Sequence, residues 1–216
     1  MQRSLICTFL TFYDKSDELR REFAWAVKNC RTVCKGNYSG QDGRQVALEI
    51  SRRKPDEMRA FLEGTVLVPV PTSGEGVDRR DDDLWSGRDL AQLFASEYGA
   101  EYRELLRRHT PIPKSSSGPG RRNLRRHINS IRVVGDMPQA RIVLIDDIVT
   151  SGSTMCGCAE VLLAADPSAT IEGFAAAYVT NDEDDKLRNF AAREYEWDGI
   201  DGRPRNRLVP SCLSNS

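Results

Sequence analysis

Residues 143–154 read Val-Leu-Ile-Asp-Asp-Ile-Val-Thr-Ser-Gly-Ser-Thr. Two adjacent carboxylates, Asp146 and Asp147, end an apolar run, and four hydroxyls, Thr150, Ser151, Ser153 and Thr154, surround Gly152. An apolar strand that delivers carboxylates to the carboxyl edge of a sheet puts them where ligands bind in open α/β folds. Gly152 permits a tight turn. Backbone N–H groups of that turn, and of a helix beginning near Thr154, converge on one point and favour an anion there. One end of the segment therefore attracts a phosphate and the other repels it. A ligand that satisfies both ends carries a phosphate at one end and hydroxyls, or a metal, at the other. A ribose 5-phosphate has that layout, with its hydroxyls donating to Asp146 and Asp147. A plain strand end with a Ser/Thr helix cap accounts for parts of the string but not for the whole. A Walker A loop is excluded, because no lysine follows a Gly-x-x-x-x-Gly spacing.

The elements that must position this segment follow from pattern. Strands are expected over Ser4–Phe12, Thr65–Val70, Arg141–Ile145 and Thr170–Val179, with a further one at Tyr102–Leu106. Helices are expected from Ser16, as the cap, to Lys28, over Gln45–Arg52, Pro55–Glu63, Asp89–Tyr98 (closed by Gly99) and Thr154–Ala164. Strand, loop, helix and strand in that order predict a parallel sheet with crossover helices. Thr72–Ser86 reads as a polar loop. Thr110–Arg126 is the longest irregular stretch, with three prolines and three serines, and such a loop in a compact domain is usually a functional lid or disordered. The tail from Glu194 reads as an irregular arm.

Two further segments bear on the chemistry. Val68-Pro69-Val70-Pro71 runs into Thr72-Ser73-Gly74, whose amides could meet a diphosphate. Arg121, Arg122, Arg125, Arg126, His127 and Arg132 cluster after the irregular stretch, with Lys114 before it. That cluster is a solvated basic face, a set of cations for a diphosphate, or a contact for a nucleic-acid backbone. The residues alone leave the three open.

The string from Val143 to Thr154 resembles the phosphoribosyl-diphosphate motif of type I phosphoribosyltransferases, with Ser151 where the motif more often has threonine. The Val-Pro-Val-Pro-Thr-Ser-Gly loop is similar to the pyrophosphate loop of the same superfamily. That loop, together with Ala91-x-Leu93-Phe94-Ala95, looks most like the competence-associated ComF-like branch, over roughly Thr65–Thr180. Ser86-Gly87-Arg88-Asp89-Leu90 stands where that branch usually has Arg-Gly-Phe-Asn-Gln. The resemblance implies an α/β fold with a parallel-sheet, Rossmann-like core, a small hood from the termini and a flexible catalytic loop. It implies one domain over residues 1–216, with a core at about 60–182, an N-terminal segment 1–59 and a C-terminal arm 183–216. Asp146 and Asp147 would be the catalytic carboxylates. Thr150, Ser151, Gly152, Ser153 and Thr154 would bind the 5-phosphate, and Thr72, Ser73, Gly74, Arg121 and Arg122 the pyrophosphate. The implied reaction transfers phosphoribosyl from 5-phosphoribosyl 1-diphosphate to a nitrogenous base or amine. Magnesium is the implied cofactor, carried by the diphosphate, with Asp146 and Asp147 within its reach and no direct protein ligand set assigned. The acceptor would lie under the hood, near Phe12, Tyr13, Phe190 and Trp197, although core packing is the commoner use of such aromatics. Alternatives are a non-catalytic binder of the same ligand and an accessory protein contacting single-stranded nucleic acid.

Composition narrows the partners. With 31 basic and 32 acidic residues the formal net charge is −1, so no global footprint for nucleic acid exists. No apolar run is long enough to cross a bilayer, and the N-terminus lacks the features of a secretory signal, so a cytoplasmic protein is expected. A homodimer is an expected assembly. Cys30 and Cys34 would share a face if helical, but ordinary thiols are favoured over a zinc site with only two histidines in the chain.

Overall fold

The computed structural model describes residues 2–13, 17–72, 85–112, 124–179, 190–198, 204–211 and 213. In chain order its elements are β1 (Gln2–Tyr13), α1 (Glu18–Lys28), α2 (Gly43–Ser51), α3 (Pro55–Leu62), β2 (Val66–Pro69), α4 (Ser86–Tyr98), β3 (Glu101–Tyr102) and β4 (Leu106–Arg108). They continue with α5 (Leu124–Ile128), β5 (Ile131–Val133), β6 (Ile142–Val149), α6 (Ser153–Ala165), β7 (Ile171–Val179), β8 (Ala191–Asp198) and β9 (Arg205–Val209). The chain is an α/β protein built on a seven-stranded sheet of order β3-β2-β6-β7-β1-β8-β9. The first five strands in that order run parallel, and β8 and β9 continue the sheet antiparallel.

Alternation along the strands sorts side chains onto two faces, both covered. Leu67, Val143, Ile145, Phe174 and Ala176 pack with α1–α4 through Phe23, Val46, Met58 and Phe94. Val66, Val68, Leu144, Ala175 and Phe9 pack on the other face with Met155, Ala159 and Leu162 of α6, and with Leu124 and Ile131. Burial on both faces is why β2 and β6 begin as unbroken apolar runs. A short antiparallel pair, β4 with β5, stands beside the main sheet.

The topology makes a switch point. From β2 the chain passes through α4 to β3 at the sheet edge, whereas from β6 it passes through α6 to β7 in the other direction. The crevice beyond the carboxyl ends of β2 and β6 is therefore the expected binding position of a doubly wound sheet.

Several expectations change. Asp17, not Ser16, caps α1, accepting from the Leu19 and Arg20 N–H groups at 3.0 and 3.1 Å. The expected strand at Tyr102–Leu106 is two short ones, β3 and β4, in different sheets. Leu124–Ile128, taken partly as loop, is helical. Cys30 and Cys34 follow the end of α1 and share no helical face; Cys30 has a φ of +50° and Cys34 is exposed. The tail is not irregular over Ala191–Asp198 and Arg205–Val209, where it forms β8 and β9. The termini, expected to build a hood, enter the sheet themselves, since β1 lies between β7 and β8. Trp197 and Phe190 are buried in the two cores, and Trp197 donates to Glu160 at 3.0 Å.

Candidate active site

The strand expected to end at Ile145 runs further. β6 runs on through Asp146 and Asp147 to Val149, because β7 continues to pair with it, Asp146 opposite Ala175 and Val149 opposite Tyr178. The backbone is held by local bonds as well: the Asp147 N–H donates to Asp146 Oδ1 at 2.9 Å, and the Ile148 N–H to Asp147 Oδ1 at 2.6 Å. Burial raises the pKa of both carboxyls above the ordinary carboxylate range, and the neighbouring Asp147 charge raises Asp146 further. Lys28, at the last turn of α1, acts in the opposite sense on both. Lys28 was not anticipated from the sequence, where it is one of many lysines on a helix.

Beyond Val149 the chain turns. Thr150 is exposed, Ser151 and Thr154 are half-buried, and Gly152 and Ser153 are buried. Gly152 has a φ of +73°, in the left-handed region that favours glycine. A second constraint acts at the same atom. A Cβ on Gly152 would stand 2.3, 2.4 and 2.9 Å from Cε1, Cδ1 and Cζ of Tyr195, on β8. The aromatic ring thus occupies the space a side chain would need. α6 begins at Ser153, and its N-cap, Gly152, has no side chain with which to bond the first-turn N–H groups. Ser151 and Ser153 hydroxyls lie 3.0 Å apart at that end. All five residues expected to bind a phosphate therefore lie at one helix N-terminus.

The end of β2 lies level with the carboxylates. Pro69 is opposite Ile145, and the Val70 N–H donates to the Ile145 carbonyl at 2.9 Å. Pro71 is buried and Thr72 half-buried. The start of α4 closes the crevice on one side: Trp85 Nε1 donates to the Val70 carbonyl at 2.9 Å, and Ser86 Oγ to the Val27 carbonyl at 2.6 Å. Ser73, Gly74, Arg121 and Arg122 lie outside the described residues, as does Lys114.

The basic cluster is less uniform than it reads in sequence. Arg125 and Arg132 are exposed, but His127 is 3% exposed and packs against α6, its Cβ 2.6 Å from where a Cβ on Gly157 would stand. Burial, then the charges of Arg108 and Arg126, push its pKa down to about 4, so it is neutral at pH 7 and contributes no cation.

No family model matches the sequence, and no curated protein matches it. Among solved structures the chain is similar to a purine phosphoribosyltransferase from Pyrococcus horikoshii Ot3, at 11% identity and a TM-score of 0.36, over 64% of this chain and 86% of that one. It is also similar to a phosphoribosylpyrophosphate synthetase from Mycobacterium smegmatis, at 18% identity and a TM-score of 0.32, over 63% of this chain and 32% of that one. Neither likeness bears on chemistry, which is read from the residues themselves. Among the described residues no helix is long and apolar enough to cross a membrane.

Proposed function

We infer that the chain binds 5-phosphoribosyl 1-diphosphate in the crevice between β2 and β6 and transfers its phosphoribosyl group to a nitrogenous base or amine. One observation carries this reading: within a single short segment at the topological switch point, a half-buried carboxylate pair is followed by a left-handed glycine that is also the side-chain-less N-cap of a helix. The helix end suits the 5-phosphate. Asp146 and Asp147 suit ribose hydroxyls, since carboxyls whose charged form is disfavoured by desolvation gain from hydrogen-bond donors that stabilise that form.

In the reaction a nitrogen lone pair forms the bond to ribose C1 while the C1–oxygen bond to diphosphate breaks, and the diphosphate leaves with that electron pair. Positive charge grows on the sugar as it does in glycoside chemistry, and the carboxylate pair beside it opposes that charge with its own. Magnesium fits as an ion carried mainly by the diphosphate. Among the described residues no cluster of three or more His, Cys, Asp or Glu could hold a metal, whereas a carboxylate pair plus ligand oxygens and water is its usual environment. When bound it would neutralise the leaving group.

Calorimetric titration with 5-phosphoribosyl 1-diphosphate and magnesium tests the binding, and diphosphate release with a panel of bases and amines tests the transfer. Wild-type binding that disappears in Asp146→Asn/Asp147→Asn is expected. Folded wild-type protein that takes up none of this ligand would sink the reading, and salt-dependent binding of single strands would then favour a nucleic-acid role. Binding without release for any acceptor would leave a sensor of the ligand.

A further inference from the structure

Arg108 is among the most enclosed side chains of the molecule, 1% exposed although it carries a full charge. It sits at the end of β4, beside Ile131 of β5, at the base of the excursion that leads into the basic segment. Its guanidinium reaches out of this pair to the end of β2. Nε donates to the Thr72 carbonyl at 2.8 Å, and Nη2 lies 3.5 Å from the Pro71 carbonyl. Nη1 donates to Ser130 Oγ, which in turn donates to the His127 carbonyl at 3.0 Å. One fork thus links the two strands of the excursion to the residues that leave β2 for the crevice.

The consequence comes from peptide geometry. A trans peptide holds its C=O and N–H on opposite sides of one plane. A carbonyl turned toward the guanidinium turns its N–H partner away. The Pro71 carbonyl does this for the Thr72 N–H, at the point where burial gives way to the half-exposed Thr72. Carbonyl dipoles, which would repel an anion, are drawn inward, and an amide donor is left facing out. Behind that donor stands a fixed positive charge in surroundings that screen it less than water would.

We propose that Arg108 is the positioning residue of the diphosphate side of the site: it orients the Pro71–Thr72 peptide for an anion and supplies a buried cation behind it. This rests on the ligand reading above, but the two fail separately. A buried arginine also stabilises the fold, so the test must discriminate between the ends of the ligand. Wild type, Arg108→Met and Arg108→Lys are titrated, with magnesium, against inorganic diphosphate, ribose 5-phosphate and 5-phosphoribosyl 1-diphosphate. Arg108→Met is expected to weaken the two diphosphate-bearing probes by about 10- to 100-fold, the range for losing charged hydrogen bonds. Ribose 5-phosphate affinity is expected to hold. Arg108→Lys, which keeps the charge but not the fork, should lie between, and it carries the same comparison if Arg108→Met does not fold. An equal loss for all three probes would assign Arg108 to stability alone and overturn the proposal. So would unchanged diphosphate affinity in a folded variant, or a wild type that binds no diphosphate. Diphosphate binding that depends on Arg108, in a wild type that ignores 5-phosphoribosyl 1-diphosphate, would uphold the proposal and remove the function.

Discussion

The end of β2 and the turn after β6 open on the same crevice, yet what could attract an anion differs between them. Behind Thr72 stands one buried guanidinium, a full unit of charge at a fixed point. Behind Gly152 stands the flank of Tyr195, and ahead of it the first turn of α6, whose aligned peptides amount to roughly half a unit charge. A monophosphate is well matched by the weaker source. A diphosphate, more highly charged and obliged to depart, is better matched by the stronger. Where the dipoles suffice, the demand falls on backbone shape, and it is met by a glycine that a neighbouring ring leaves no room to replace.

The comparison breaks most sharply at Gly152. Gly152→Ala combines a disfavoured backbone region with overlap on Tyr195, and about a 100-fold loss of ribose 5-phosphate affinity is expected. Inorganic diphosphate should bind as before, the mirror image of Arg108→Met. Adding Tyr195→Ala removes the overlap but not the backbone cost, so about tenfold of the loss should return. Calorimetry on the single and double variants reads this, and a loss shared equally by both anions would erase the distinction.

Acidity probes what lies between the two regions. His127 touches Gly157 of α6 on one side and feels Arg108 on the other. Its pKa is lowered from 6.5 to about 4 in the fold, so its contribution is intact above 6.5 and is lost as pH falls through that window, by up to about 3 kcal/mol. Urea denaturation at pH 7 and pH 4.5 should show the loss, and His127→Gln should flatten it. The carboxylate pair has the opposite sign. Raised pKa values mean that stability is present below the ordinary carboxylate value of about 3.9 and is lost as pH rises through the raised ones. Asp146→Asn/Asp147→Asn should therefore melt higher than wild type at pH 7 while failing to bind ligand. A lower or unchanged melting temperature would contradict the desolvation assigned to the half-buried pair.

The smallest effect is expected at the Tyr195 hydroxyl, which is buried with no hydrogen-bond partner among the described residues. Tyr195→Phe keeps the ring against Gly152 and relieves an unsatisfied group, so a gain of roughly 1 kcal/mol in stability and affinities within about twofold are expected. A clear drop in ribose 5-phosphate affinity would instead make the hydroxyl a ligand of the phosphate.

The carboxylate-to-threonine string was legible because its chemistry is local: strand, carboxylates, turn and helix start are contiguous, and the fold keeps them so. Arg108 was not legible, because nothing in Leu-Arg-Arg-His distinguishes it from the exposed Arg107. Only pairing with β5 makes Arg108 an inward residue with Leu106. Tyr195 was missed for a related reason. Its strand alternates Ala191, Arg193, Tyr195 and Trp197 on one face, but arginine at an inward position hides the pattern until Tyr178 is seen beneath it, 4.6 Å from the guanidinium to the ring centroid. The extension of β6 through two aspartates also runs against strand propensity, and it holds because β7 supplies a partner along its whole length.

One feature of the sheet governs how the molecule is made. β1 is made before the other described strands, yet it pairs with β7 and β8, whose residues lie beyond 170. Its apolar stretch Leu5–Leu10 must wait, without these partners, until β7 has been made, and such long-range pairing is slow to form. The ring that backs Gly152 arrives on β8, later still. A chain stopped after α6 therefore holds the whole string from Asp146 to Thr154 and lacks the strand that shapes it. Nascent chains of that length should be clients for chaperones rather than early versions of the binding site.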